Sequence, residues 1–168
     1  MLLGQFETSN LLETSSVAAR DIPGCRFAEL DLSLGSVREI VVLVIESWVI
    51  NDDDPVPVSS AVVVEALRSR ADSGRLETWL TSSFGRSMAF VTNAERALVM
   101  LRNDEGDPGE HAVDPGAEGL SFGFVLTNGQ GDEYPNEDTV PIREALRLVE
   151  HIVCTGDWPA DAPRVVDR

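Results

Sequence analysis

The chain contains no lysine. All 13 of its basic residues are arginine, set against 29 carboxylates, and its formal net charge is −16. A surface of that sign repels nucleic acid and anionic membrane and attracts basic protein faces, so neither nucleic acid nor membrane is an expected partner. Aromatic residues are scarce at 6%, with Tyr134 the single tyrosine. That scarcity argues against a sugar-cleaving carboxylate pair, since such sites usually include aromatic platforms. Only two cysteines are present, Cys25 and Cys154. They permit one disulfide at most, and in a cytoplasmic chain they read as reduced packing residues. The two histidines, His111 and His151, are far apart, and only His151 and Cys154 are close in sequence, so no four-ligand zinc centre is expected. No apolar run approaches bilayer length. The opening "MLLGQFETSN" lacks the basic flank and sustained apolar stretch of a secretory signal, so a cytoplasmic location is expected.

Catalytic motifs are missing as well. There is no G-x-S-x-G nucleophile turn and no phosphate-cradling glycine motif. The zinc-deaminase signature needs H-x-E, but His111 is followed by Ala112 and Val113. "NDDDP" (51–55) and "DEGDPGEH" (104–111) are rich in oxygen ligands, yet neither has the alternation of a calcium loop. The chain therefore reads as a protein without enzymatic activity, catalytic residues, metal or cofactor. A metal-dependent hydrolase built on these acids is the enzymatic alternative.

What is present is one core's worth of apolar residues, 43% of 168. Residues 1–36 carry weak signals, with a possible strand at 26–34, and 37–168 read as a single domain. "REIVVLVIESWVI" (38–50) is a β candidate ended by "NDDDP", and "VPV" (56–58) is placed to pair back on it. Ser59 or Ser60 begins a helix running to about Asp72, with Gly74 as its stop. "SMAFVT" (87–92) and "ALVMLR" (97–102) flank a turn and predict a hairpin, and "LSFGFVLT" (120–127) predicts another strand. After Pro141, the residues Ile142, Ala145, Leu146, Val149, Ile152 and Val153 form the apolar face of a second helix, stopped by Gly156. The expected fold is α+β: a mostly antiparallel sheet with an early helix and a C-terminal amphipathic helix.

The acidic residues are unevenly spread. Between Arg102 and Arg143 there is no arginine, but there are ten carboxylates. Four of them, Asp132, Glu133, Glu137 and Asp138, surround Tyr134 in "NGQGDEYPNEDTVP" (128–141), which reads as a loop between a strand and a helix. Tyrosine and tryptophan are common interface anchors, and a ring of carboxylates gives steering and register. These five residues, with Trp158, are the candidate partner-binding residues.

The run from the hairpin "RSMAFVTNAERALVMLR" through "DEYP" and "VPIREALRLVEHIVCTGDWP" resembles the first immunity-protein family of bacterial polymorphic toxin systems. The resemblance spans about residues 38–166. It rests on the order and spacing of Gly129, Glu133, Tyr134, Pro141, the amphipathic helix, Gly156 and Pro159. Where members commonly end in a tryptophan-containing motif, this chain has "APRVV" (162–166). The resemblance implies a protein that binds and neutralises a cognate basic toxin, of the nucleic-acid deaminase superfamily, by occluding its substrate or active-site groove. The binding alternative is an acidic adaptor or chaperone for a basic secreted effector.

Overall fold

A computed structural model describes residues 46–167. The segment 1–36, the possible strand at 26–34 and the first part of the 38–50 β candidate lie outside these residues.

Within them the chain runs β1 (Trp48–Ile50), β2 (Val56–Val58), α1 (Ser60–Asp72), β3 (Glu77–Ser82), β4 (Ser87–Thr92), β5 (Arg96–Arg102), β6 (Glu110–Ala112), β7 (Leu120–Val125) and β8 (Gly131–Pro135). A short 3-10 turn, Asn136–Asp138, leads into β9 (Val140–Pro141), α2 (Ile142–Thr155) and β10 (Arg164–Val166). The principal sheet orders its strands β10-β6-β5-β4-β3-β1-β2, with β9 also paired to β5. All its pairings are antiparallel. β7 and β8 form a separate two-stranded sheet. The α+β class, with an antiparallel sheet, an early helix and a later amphipathic helix, is what the structure has.

Both helices cover one face of the principal sheet. Alternation along the strands sends Leu80, Met88, Phe90, Val99 and Leu101 to that face, and all are buried. They meet Val63 and Leu67 of α1, one turn apart, and Leu146, Val149 and Ile152 of α2. The valine run at 62–64 does not prevent α1 from forming, because burial of Val63 and Leu67 outweighs weak intrinsic propensity. α2 carries its six buried side chains along one stripe, with Arg143, Arg147 and Glu150 in water. Its C-terminus closes on Gly156, at φ 79°. A Cβ there would stand 2.8 Å from the Glu46 carboxylate, so the site needs glycine for space as well as for backbone conformation. Arg86 donates to the Gly156 carbonyl, placing a cation at the negative end of the helix.

Several elements differ from the sequence expectation. β3 was not foreseen; its buried face includes Thr78 and Ser82, which do not look like core residues. β6 and β10, three residues each, pair Ala112 with Arg164 and Glu110 with Val166. Residues 131–135, expected within a loop, are the strand β8. Cys154 is disulfide-bonded rather than a reduced packing residue; the chain's other cysteine, Cys25, lies outside the described residues.

Candidate functional site

The face of the sheet opposite the helices carries Glu77, Trp79, Ala89, Val91, Leu98 and Met100, the alternate residues of β3, β4 and β5. The β7–β8 hairpin packs over this face, in contact with β4. Three anchors fix it. Phe124 is fully buried beneath it. The Glu77 carboxylate accepts the Thr127 backbone N–H at 2.6 Å, and the Asn93 side chain donates to the Phe122 carbonyl at 2.9 Å. Burial works to raise the Glu77 carboxyl, but hydrogen bonds from Thr127 and from the Trp79 indole outweigh it and hold it below its ordinary range.

Register decides what the hairpin shows to water. Ser121 stands opposite Tyr134 and Phe124 opposite Asp132, so these side chains share the inward side. Tyr134 is half-buried, its ring edge-to-face with Phe124 at 4.9 Å between centroids, and its hydroxyl donates to Asp132 at 3.2 Å. Burial, with the Asp132 charge beside it, pushes the Tyr134 phenol above its ordinary value. Glu133 falls between these two inward residues and projects outward, exposed to solvent. Leu120, Phe122 and Val125 are exposed on β7 at 50%, 63% and 41%.

The opposite facing of Phe122 and Phe124 has a specific cause. Phe122 and Phe124 are two apart and would point the same way in a regular strand. A β-bulge between Ser121 and Phe124 places two residues, Phe122 and Gly123, opposite the single Glu133. Gly123 supplies the required backbone at φ 87°. Phe124 therefore turns inward, while Phe122 joins Glu133 outside. The sequence showed a periodic "SFGF" and a glycine between two phenylalanines. That glycine was the only available signal of a bulge.

The 3-10 turn carrying Glu137 and Asp138 is held from below. Arg96, on β5, donates to the Asp114 carboxylate at 2.7 Å, to the Asn136 carbonyl at 2.8 Å, and to both Thr139 oxygens at 2.6 and 2.9 Å. The Asn136 side chain accepts from Ser121 and donates to the Glu118 carbonyl, tying the turn to β7. Asp138 lies 3.6 Å from the buried His111 ring, whose other nitrogen meets Asp167 at 2.8 Å. Glu137 points into water.

The arginine-free stretch is thus partly compensated in three dimensions. Arg96 reaches Asp114 from β5, and Arg164 pairs with Glu110 across the β6–β10 ladder. Glu118, Glu133 and Glu137 have no ion-pair partner among the described residues. Of the sequence candidates, the structure gathers Asp132, Glu133, Tyr134, Glu137 and Asp138 on one hairpin and the turn that follows it. Trp158 is not among them. It packs on the main core, lines a separate polar cavity with Arg86 and Arg164, and buries its indole N–H with no hydrogen-bond partner among the described residues.

Beside the hairpin, a cleft of about 760 Å³ opens between the 51–54 loop, Trp79 and Val125. Asp52 is engaged there by Arg70 at 2.5 and 3.0 Å, while Asp53 and Asp54 are exposed and make no ion pair among the described residues. Among the described residues, no three His, Cys, Asp or Glu side chains converge where they could hold a metal ion. No described helix is long and apolar enough to cross a membrane. Comparison with protein-family models finds no match to the chain, and comparison with curated proteins likewise finds none.

Proposed function

We propose that this protein is an immunity-type inhibitor that binds a basic, nucleic-acid-directed toxin of the deaminase class in the cytoplasm and occludes its substrate groove. One observation carries the reading. Glu118, Glu133 and Glu137, all without cationic partners among the described residues, flank exposed apolar side chains on a hairpin whose backbone is fixed at both ends. Unpaired like charges work against the compact state, so a surface that concentrates them beside apolar anchors suits a cationic partner better than it suits solubility alone. A toxin that acts on DNA or RNA presents a basic groove, and an acidic, shape-fixed face complements it. The resemblance to the immunity family points the same way.

The test uses the toxin domain encoded by the adjoining reading frame, purified and assayed on its nucleic acid with and without this protein. The expected result is stoichiometric loss of activity. Glu133→Gln combined with Glu137→Gln is expected to slow association several-fold at low salt and to flatten its salt dependence, leaving dissociation little changed. Binding that leaves the toxin active would assign the adaptor role instead. Absence of binding would sink the proposal.

A further inference from the structure

Resting on that reading, we infer that Phe122 is the anchor of the interface, inserted into an apolar pocket rimmed by arginine or lysine on the partner. Three observations support this. First, Phe122 is the most exposed large apolar side chain among the described residues, on the same outward side of β7 as Leu120. Phe122 keeps the outward alternation that begins at Leu120, and the bulge after it turns Phe124 alone to the buried side, so one aromatic anchors the hairpin and the other stands in water.

Second, its backbone is not free to retreat. The Phe122 carbonyl is held by Asn93, whose own oxygen accepts the Glu95 and Arg96 backbone N–H groups, so one side chain locks the β4–β5 turn and the bulge together. A rigidly presented aromatic loses little freedom on docking, which is what an interface anchor requires. Third, its surroundings select the partner. Leu120 and Val125 extend the apolar strip along β7, and Glu133 stands directly opposite on β8. Glu95 belongs to the turn that Asn93 organises, and Glu118 lies two residues before Leu120. An apolar centre with a carboxylate rim matches an apolar pocket with a cationic rim.

Other occupants fit less well. A second copy docking face to face would set like-charged rims against each other on chains of net charge −16. Residues 1–45 hold six carboxylates and three arginines, so that segment is acidic too and does not complement the rim.

The experiment measures binding kinetics of a catalytically inactive toxin domain from the adjoining frame against wild type, Phe122→Ala, Phe122→Asp and Phe84→Ala. Phe84 is exposed at 54% in the β3–β4 turn and serves as the control for loss of a surface aromatic. Phe122→Ala is expected to weaken binding by about tenfold or more, chiefly through faster dissociation, and Phe122→Asp by more still. Phe84→Ala should bind as wild type, and all variants should keep the wild-type thermal midpoint, since neither ring is buried. Wild type that binds while both Phe122 variants dissociate at the wild-type rate would overturn this inference and leave the proposed function standing. Wild type that fails to bind removes both. A dimer of the free protein that disappears in Phe122→Asp would assign the face to a second copy and also overturn the inference.

Discussion

Asp52 shows how a single acidic residue can be structural in a chain full of solvated ones. It sits in an aspartate triplet, yet its neighbours Asp53 and Asp54 remain in water while it takes a two-pronged contact from Arg70 and a looser one from Arg75 at 3.4 Å. The Arg70 hydrogen bonds hold its carboxyl below the ordinary aspartate value of 3.8. A carboxyl whose folded-state pKa is depressed contributes stability above its unfolded value and loses it as the pH falls through the folded one. Asp52→Asn should therefore be less stable than wild type at pH 7, by roughly 1 kcal/mol for a solvent-screened pair. The gap should narrow as the pH falls from about 3.8 toward the lower folded-state value, through which wild type loses the same contribution. Urea unfolding of both proteins at pH 7 and near pH 3 checks this, and an undiminished gap in acid would rule out the ionic explanation. Asp53→Asn, with no ion pair to lose, should track wild type throughout.

At the scale of elements, α2 is the largest contributor to the core, and Leu146 represents its buried stripe at 5% exposure. Leu146→Ala should cost about 2–5 kcal/mol in denaturant unfolding, the range for truncating a packed leucine; a loss under about 0.5 kcal/mol would place the helix on the surface. This helix was legible in the sequence because its signal is local. Apolar residues recur at helical spacing, and glycine and proline mark the ends. The β4–β5 hairpin was legible for the same reason, with two apolar runs around a short turn. β3 was not, because Thr78 and Ser82 occupy inward positions and erase the alternation that would have revealed it. β8 was hidden by its composition, since "GDEYP" joins glycine, proline and acids that individually disfavour strands. It forms because Tyr134 packs on Phe124 and the ladder with β7 supplies its hydrogen bonds. The candidate site divided along the same line. Its chemical character, acidic around one tyrosine, was visible. Which side each residue faces was not, since that depends on strand register and on a bulge one residue long.

Over the whole molecule, a net charge of −16 implies that folding gathers repulsion which salt can screen. The thermal midpoint should rise by roughly a few degrees between about 20 mM and about 500 mM sodium chloride, even though the same salt weakens pairs such as Arg70–Asp52. A falling midpoint would mean that specific ion pairs outweigh the diffuse repulsion. Sodium sulfate is unsuitable for this measurement, because it strengthens apolar burial independently of charge. Arg96 bears on this balance in another way. One guanidinium gathers acceptors from the Asp114 loop, the 3-10 turn and the residue before β9, and each of these segments is cheaper to keep in place because the others share the same cation. The acidic turn and the hairpin it is tied to consequently behave as one tile rather than as separate loops. A partner meeting that tile has no loop to freeze. If that tile is the docking face of the proposed inhibitor, the time to dock is set by diffusion and field, and the lifetime of the complex by how well the partner's pocket is shaped beforehand.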